Sequence, residues 1–225
     1  MKKGIIISTV IVAIGIIITF TYTKSQIDKK VLPIIQPNDV KSEMVSEELI
    51  NKGVGHYIGE FSFLNQNGKE VTLDDVKGNV FVAEYFFTTC RSICPIMNQE
   101  MRRVQERFKG NDEVKILSFT VDPEVDDVPT MKAYAEDHEA IDGQWEFLTG
   151  DKEELYSLAR KSFFVLKPAE AQNLGDAGSD FIHTNNFVLV DKKLRIRGYY
   201  DGTNTEEVNT LMDDIDVLLR ETGDL

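Results

Sequence analysis

Cys90 and Cys94 are the only two cysteines in the 225-residue chain, and four positions separate them. They stand in Phe86-Phe87-Thr88-Thr89-Cys90-Arg91-Ser92-Ile93-Cys94-Pro95. Such a pair has three uses: to hold a metal ion, to cycle as a disulfide, or to fill space as inert buried residues. In a disulfide the Cβ atoms approach to about 4 Å. Two thiolates clamping one ion through bonds of about 2.3 Å hold their sulfurs at most about twice that far apart. A three-residue loop allows both. Redox pairs more often have two intervening residues, so the third residue here tilts the reading toward a metal.

The flanking residues say where the sulfurs sit. The run Val80 to Phe87 is short, continuous and aromatic-rich, the pattern of a buried strand. After Pro95, apolar side chains recur at Met97, Met101, Val104 and Phe108, which make one helical face. Proline favours the first helical position and disfavours helical torsions in the residue before it. The pattern therefore predicts Cys94 as the helix N-cap and Cys90 in the preceding loop. The positive end of a helix dipole lowers a thiol's pKa and raises its thiolate fraction. Thiolate is the form that both metal binding and disulfide attack require.

A metal needs further ligands, and the chain has three histidines. His183 immediately precedes the apolar strand pattern Phe187 to Val190, at the start of that strand. It is the best third ligand; the bland alternative is a loop histidine making one hydrogen bond. His138 falls on an apolar helical face and reads as a packed structural residue. His56 reads as a turn or surface residue at the domain entrance. Two thiolates suit Cu(I), and an added imidazole suits Cu(II). Zinc competes, but structural zinc sites close with four such ligands. Asp122, ending the second strand pattern Val114 to Val121, is either a carboxylate that orients a ligand or part of an ordinary Asp-Pro turn.

The whole chain reads as hairpin, strand, helix, strand, helix, strand, helix, hairpin, helix. That order predicts an α/β thioredoxin-like sandwich over residues 56–225, with chemistry at the carboxyl ends of its strands. Ahead of it, Gly4 to Tyr22 carry no charge, long enough as a helix to span a bilayer. No small-residue cleavage site follows, so residues 1–23 are expected as an uncleaved transmembrane helix and residues 24–55 as a tether. Lysines flank the segment on both sides, so their count barely orients it. Short basic N-termini usually stay inside, which puts the domain outside the cytoplasm. Lys and Arg total 25 against 38 Asp and Glu, a net charge of −13, and this argues against a nucleic-acid partner.

Cys90-Arg91-Ser92-Ile93-Cys94-Pro95 resembles the Cys-x-x-x-Cys-Pro motif of the Sco/SenC copper chaperones. The stretch from Asp122-Pro123 through Asp126 to Pro129 is similar to that family's Asp-Pro-x-x-Asp-x-Pro, with one extra residue before the second proline. His183 stands where those proteins have their distal copper histidine. The resemblance implies copper held by Cys90, Cys94 and His183. It also implies a domain anchored to the bacterial cytoplasmic membrane and facing the periplasm. The partner implied is cytochrome c oxidase subunit II, whose dinuclear copper site the protein would help load. Some relatives act instead as thiol–disulfide oxidoreductases on that subunit's cysteines, which would use Cys90 and Cys94 as catalytic groups. A peroxidase of the same fold expects Thr or Ser three residues before its reactive cysteine, where this chain has Phe87 and Arg91.

Overall fold

The computed structural model describes residues 12–19, 30–41, 44–45, 49, 55–165 and 185–221. The chain divides into two units, Met1–Leu32 and Pro33–Leu225. In the first, residues 12–19 are helical. Among the described residues no helix is long and apolar enough to cross a membrane. The rest of the expected anchor, in residues 1–11 and 20–23, lies outside them.

In the second unit, a short 3-10 helix (Pro37–Asp39) precedes an antiparallel hairpin, β1 (Ser62–Leu64) and β2 (Glu70–Thr72). The hairpin turns through Asn67-Gly68, where Gly68 has a φ of +69° that favours glycine. A helical turn, α1 (Leu73–Val76), leads to β3 (Val80–Phe86). Then follow α2 (Cys94–Arg107), β4 (Val114–Thr120), α3 (Val128–Asp137), β5 (Trp145–Leu148) and α4 (Lys152–Lys161). The chain closes with β6 (Asn186–Val190), β7 (Ile196–Asp201) and α5 (Thr205–Arg220). The expected alternation of strands and helices is present, and the fold is a mixed α/β, thioredoxin-like one.

The main sheet has the order β5-β4-β3-β6-β7. β3 is its middle strand and is buried along its whole length, which explains the near-continuous apolar run. β3, β4 and β5 are parallel, while β6 runs antiparallel to both β3 and β7. Strand alternation sends Phe81, Ala83 and Tyr85 to one face, where they join Phe61, Phe63, Phe119 and Phe163. Phe119 meets Phe61 edge-on at 5.7 Å and stacks on Tyr85 at 5.3 Å. Val82, Glu84 and Phe86 point to the opposite face, where Phe86 stacks on Tyr134 of α3 at 5.2 Å.

Three of the helices start on side-chain caps. Asp127 accepts from the Thr130 N–H, Asp151 from the Glu154 N–H, and Asn204 from the N–H groups of Glu206 and Glu207. β5 is an edge strand, and its outer rim is closed by one side chain. Gln66 Nε2 donates to the Trp145 carbonyl at 3.1 Å, and its Oε1 accepts from the Phe147 N–H at 2.9 Å. Gln66→Ala leaves both backbone groups buried and unpaired, a cost of about 2 kcal/mol. For a domain of this size each kcal/mol shifts the melting temperature by about 2–4 °C. Thermal unfolding of the variant is expected to show that loss, and an unchanged melting temperature would exclude this role for Gln66.

Part of the expected tether is attached to the domain. The Ile35 N–H donates to the Ile196 carbonyl at 2.9 Å. Arg197, 3% exposed, donates through Nε to the Pro33 carbonyl and through its Nη atoms to Asp191 and Glu221. Gln36 Oε1 accepts from the N–H groups of Gly55 and His56.

Candidate metal centre

β3 ends at Phe86, and the Val121 N–H donates to the Phe86 carbonyl as the last rung before the strands part. The chain then turns, with the Cys90 N–H donating to the Phe87 carbonyl at 3.2 Å. α2 begins four residues after Cys90, at Cys94 itself. Ile93, with helical torsions, is the N-cap, so Cys94 is the first helical residue and Pro95 the second. This differs by one position from the expected N-cap at Cys94. The proline fits because the first four N–H groups of a helix have no partner within it, so its missing donor costs no bond at either position.

That shift decides which sulfur the helix terminus serves. The backbone N–H groups of Ser92 and Cys94 and the Cys94 thiol all hydrogen-bond to Cys90. Burial works against the Cys90 thiolate, but these donors and the Ser92 hydroxyl outweigh it, bringing the thiol down to about 7. Ser92 Oγ lies 3.6 Å from Cys90 Sγ. Cys94 is the reverse case. Burial pushes its thiol far above the usual range, and donation of its own proton to Cys90 and the charges of Cys90 and Glu84 push the same way. Both cysteines are free; Cys90 is half-buried and Cys94 is buried. The activated thiol is therefore Cys90, on the loop, and not Cys94, on the helix.

Two buried acids frame this pair: Glu84, which the sequence reading passed over, and Asp126, which it named only within the Asp-Pro stretch. Glu84, 0% exposed, accepts from Ser118 Oγ at 2.6 Å, and Ser118 in turn accepts from Trp145 Nε1 at 2.8 Å. Its other oxygen is one of few buried polar atoms with no hydrogen-bond partner among the described residues. Burial pushes the Glu84 carboxyl up to about 7. Glu84 lies under the sheet end that carries Cys94, and its charge raises the pKa values of Cys94 and Tyr134. An acid inside an apolar run is the one signal that could have singled it out. The second acid, Asp126, is 0% exposed and accepts from the side chains of Thr88 and Thr120 and from the Thr88 N–H.

Asp122 is held by its backbone: its N–H donates to Thr120 Oγ1 at 2.9 Å, and its carbonyl accepts from the Val125 and Asp126 N–H groups. The carboxylate that reaches the cysteine loop is Asp126. His183 lies outside the described residues. Among the described residues no group of three or more His, Cys, Asp or Glu side chains is placed to hold a metal ion. His138 caps α3 and packs on Tyr134 at 4.2 Å, in keeping with a structural role. His56 is half-buried rather than a surface residue: Nε2 lies 2.8 Å from the Ser162 carbonyl and its ring 4.4 Å from that of Phe164. Burial holds both imidazoles below their ordinary pKa.

The two thiols fit a soft metal ion. They are adjacent, one is half-exposed, and one is ready as a thiolate without strong bases around it. The chain is similar to several known proteins. A SCO1 protein homolog of Bacillus subtilis is 33% identical over 168 residues, covering 74% of this chain and 84% of its own length. The structure of BsSco, described as a Sco-family cytochrome c oxidase assembly protein with a disulfide switch, is 31% identical. It superposes with a TM-score of 0.62 over 75% of this chain and 96% of that one. ScoI of Bradyrhizobium japonicum, solved with copper bound, is 25% identical with a TM-score of 0.55, covering 73% of this chain and 99% of its own. With residues 51–220 matching the SCO1/SenC family throughout, the chain belongs to that family.

Proposed function

We propose that this protein is a copper chaperone that binds Cu(I) through Cys90 and Cys94 and Cu(II) with His183 added, and that it delivers copper to the dinuclear site of cytochrome c oxidase subunit II. The observation that carries the reading is the free pair at the sheet end, with a lowered thiol at Cys90 hydrogen-bonded by a protonated one at Cys94. Copper in the related ScoI and oxidase assembly by BsSco support the metal and the kind of partner. His183 is supported by topology. β6 starts at Asn186 and runs antiparallel to β3, so its first residue belongs to the end of the sheet from which the cysteine loop emerges. His183 precedes Asn186 by three positions in the sequence. Asp122, in the neighbouring turn, is the carboxylate assigned to orient a ligand. The membrane-anchored, periplasm-facing placement, with residues 1–23 as anchor and the N-terminus inside, completes the reading.

Copper is cargo here. Cysteine ligands of the acceptor would displace Cys90, Cys94 and His183 in turn, with the half-exposed Cys90 the accessible sulfur. A second reading rests on the same asymmetry of the thiols. The Cys90 thiolate attacks a target disulfide, a mixed disulfide forms, and the Cys94 thiolate displaces the target sulfur. The target leaves as a dithiol and the protein as the Cys90–Cys94 disulfide, so the two electrons balance.

Loading the protein with Cu(I), oxidising it, and reading copper stoichiometry and the thiolate-to-Cu(II) charge-transfer band tests the first reading. Wild type is expected to bind one copper. His183→Ala is expected to keep Cu(I) but to weaken Cu(II) and shift the band. No copper in wild type, with rapid reduction of a target disulfide, would favour the oxidoreductase instead.

A further inference from the structure

Asp126 is a carboxylate with no cation beside it among its hydrogen-bond partners, buried where an ionised group is costly unless several donors satisfy it. Those donors come from two strands that have just separated. Phe86 and Thr120 are the last paired residues of β3 and β4. One residue past Phe87, the Thr88 N–H points at both Asp126 oxygens at 3.3 Å, and the Thr88 hydroxyl donates to Oδ1. The Thr120 hydroxyl donates to Oδ2, and its oxygen accepts from the Asp122 N–H. Capping of α3 is done by the neighbouring Asp127, so Asp126 has no part in starting that helix. A carboxylate has about four acceptor sites and no donor, which matches three converging donors; an amide would turn an N–H₂ toward one of them.

The geometry points to Asp126 as a positioning residue for the copper site: through Thr88 it locks the start of the cysteine loop to the end of β4 and so fixes where Cys90 stands relative to Cys94. Beyond Thr88, the loop's remaining ties are the Cys90 N–H bond to the Phe87 carbonyl within the same turn and the bonds of the Ser92 and Cys94 N–H groups and the Cys94 thiol to Cys90. Release of Thr88 leaves only these short-range ties to set the turn against α2. The inference rests on the reading of Cys90 and Cys94 as the copper-binding pair, and it extends that reading to a residue that touches neither sulfur.

Thr88→Val is the cleanest test, because it keeps the shape and removes the hydroxyl. Groups that orient metal ligands without binding the metal typically contribute 10–100-fold to affinity. Thr88→Val and Asp126→Asn are therefore expected to weaken copper binding by about tenfold or more and to shift the thiolate-to-Cu(II) band. The Cys90–Cys94 pair of each is expected to change its equilibrium with glutathione by about tenfold, the equivalent of about 30 mV. Thr88→Ser, which retains the hydroxyl, should recover most of both. Thr120→Val cuts the β4 half of the same lock and is expected to move both readouts in the same direction as Thr88→Val. If copper affinity follows melting temperature across all four variants, or if Thr88→Val matches wild type in both readouts, Asp126 does not position the site. Should wild type hold no copper, the copper-chaperone reading fails, and the glutathione equilibrium alone decides on Asp126.

Discussion

A Cys94→Ser protein is expected to hold Cu(I) about 10²–10⁴-fold more weakly than wild type, because two ligands on one loop act at high effective concentration and one alone does not. The substitution is small and leaves the first turn of α2 able to form, since the Cys94 side chain caps nothing there and its N–H turns to Cys90. The hydroxyl that replaces the thiol can still donate to Cys90, so the Cys90 thiolate keeps its partner. What is lost is the second soft donor. Anaerobic competition against a Cu(I) chelator measures the loss, and thermal unfolding controls for the buried position. Equal affinity in variant and wild type would remove Cys94 from the ligand set and leave its burial to be explained by packing alone.

Replacing Glu84 by glutamine is expected to stabilise the domain above neutral pH and to do almost nothing in acid. Burial lifts this carboxyl from its ordinary 4.5 to about 7, with the Ser118 hydroxyl pulling modestly the other way. In the unfolded chain it ionises near 4.5. Between pH 4.5 and 7 the folded protein thus holds a proton that the unfolded chain has released, so stability falls as pH rises through that window and levels off above it. Below 4.5 both states are protonated and the difference vanishes. At about 1.4 kcal/mol per unit, the span from 4.5 to about 7 amounts to on the order of 3 kcal/mol. Glutamine keeps an oxygen for the Ser118 hydroxyl and never ionises. Urea unfolding of both proteins from pH 4 to pH 8 should show their stabilities diverging across the window. Parallel curves would mean that Glu84 stays ionised in the fold.

Where local pattern carries the information, sequence and structure coincide. The run at Val80 is a buried strand because it is apolar throughout, and it ends at Phe86. Met97, Met101 and Val104 are buried on α2 as their spacing requires. The last helix starts at Thr205, because Asn204 caps it. Long-range polar contacts were not legible. Nothing near Glu84 in sequence announces Ser118 and Trp145, which reach it only once three strands are aligned. Gln66 and Asp126 likewise owe their roles to partners on other elements. The activated cysteine was misplaced because a single position at the helix start decides which sulfur receives the free N–H groups, and proline tolerates both. His183 was singled out by chemistry and lies outside the described residues.

The strand order has a consequence for how the site comes into being. β3 and β4 are joined by one short crossover, whereas β3 and β6 bring together residues more than a hundred positions apart. Closing the larger loop carries the greater entropic cost, and such distant pairings slow folding. During synthesis the cysteine loop and α2 emerge well before the segment that leads into β6. In the proposed copper site the thiol half would therefore be assembled early and His183 late, so a chain that captures copper with all three proposed ligands would already have paired β3 with β6.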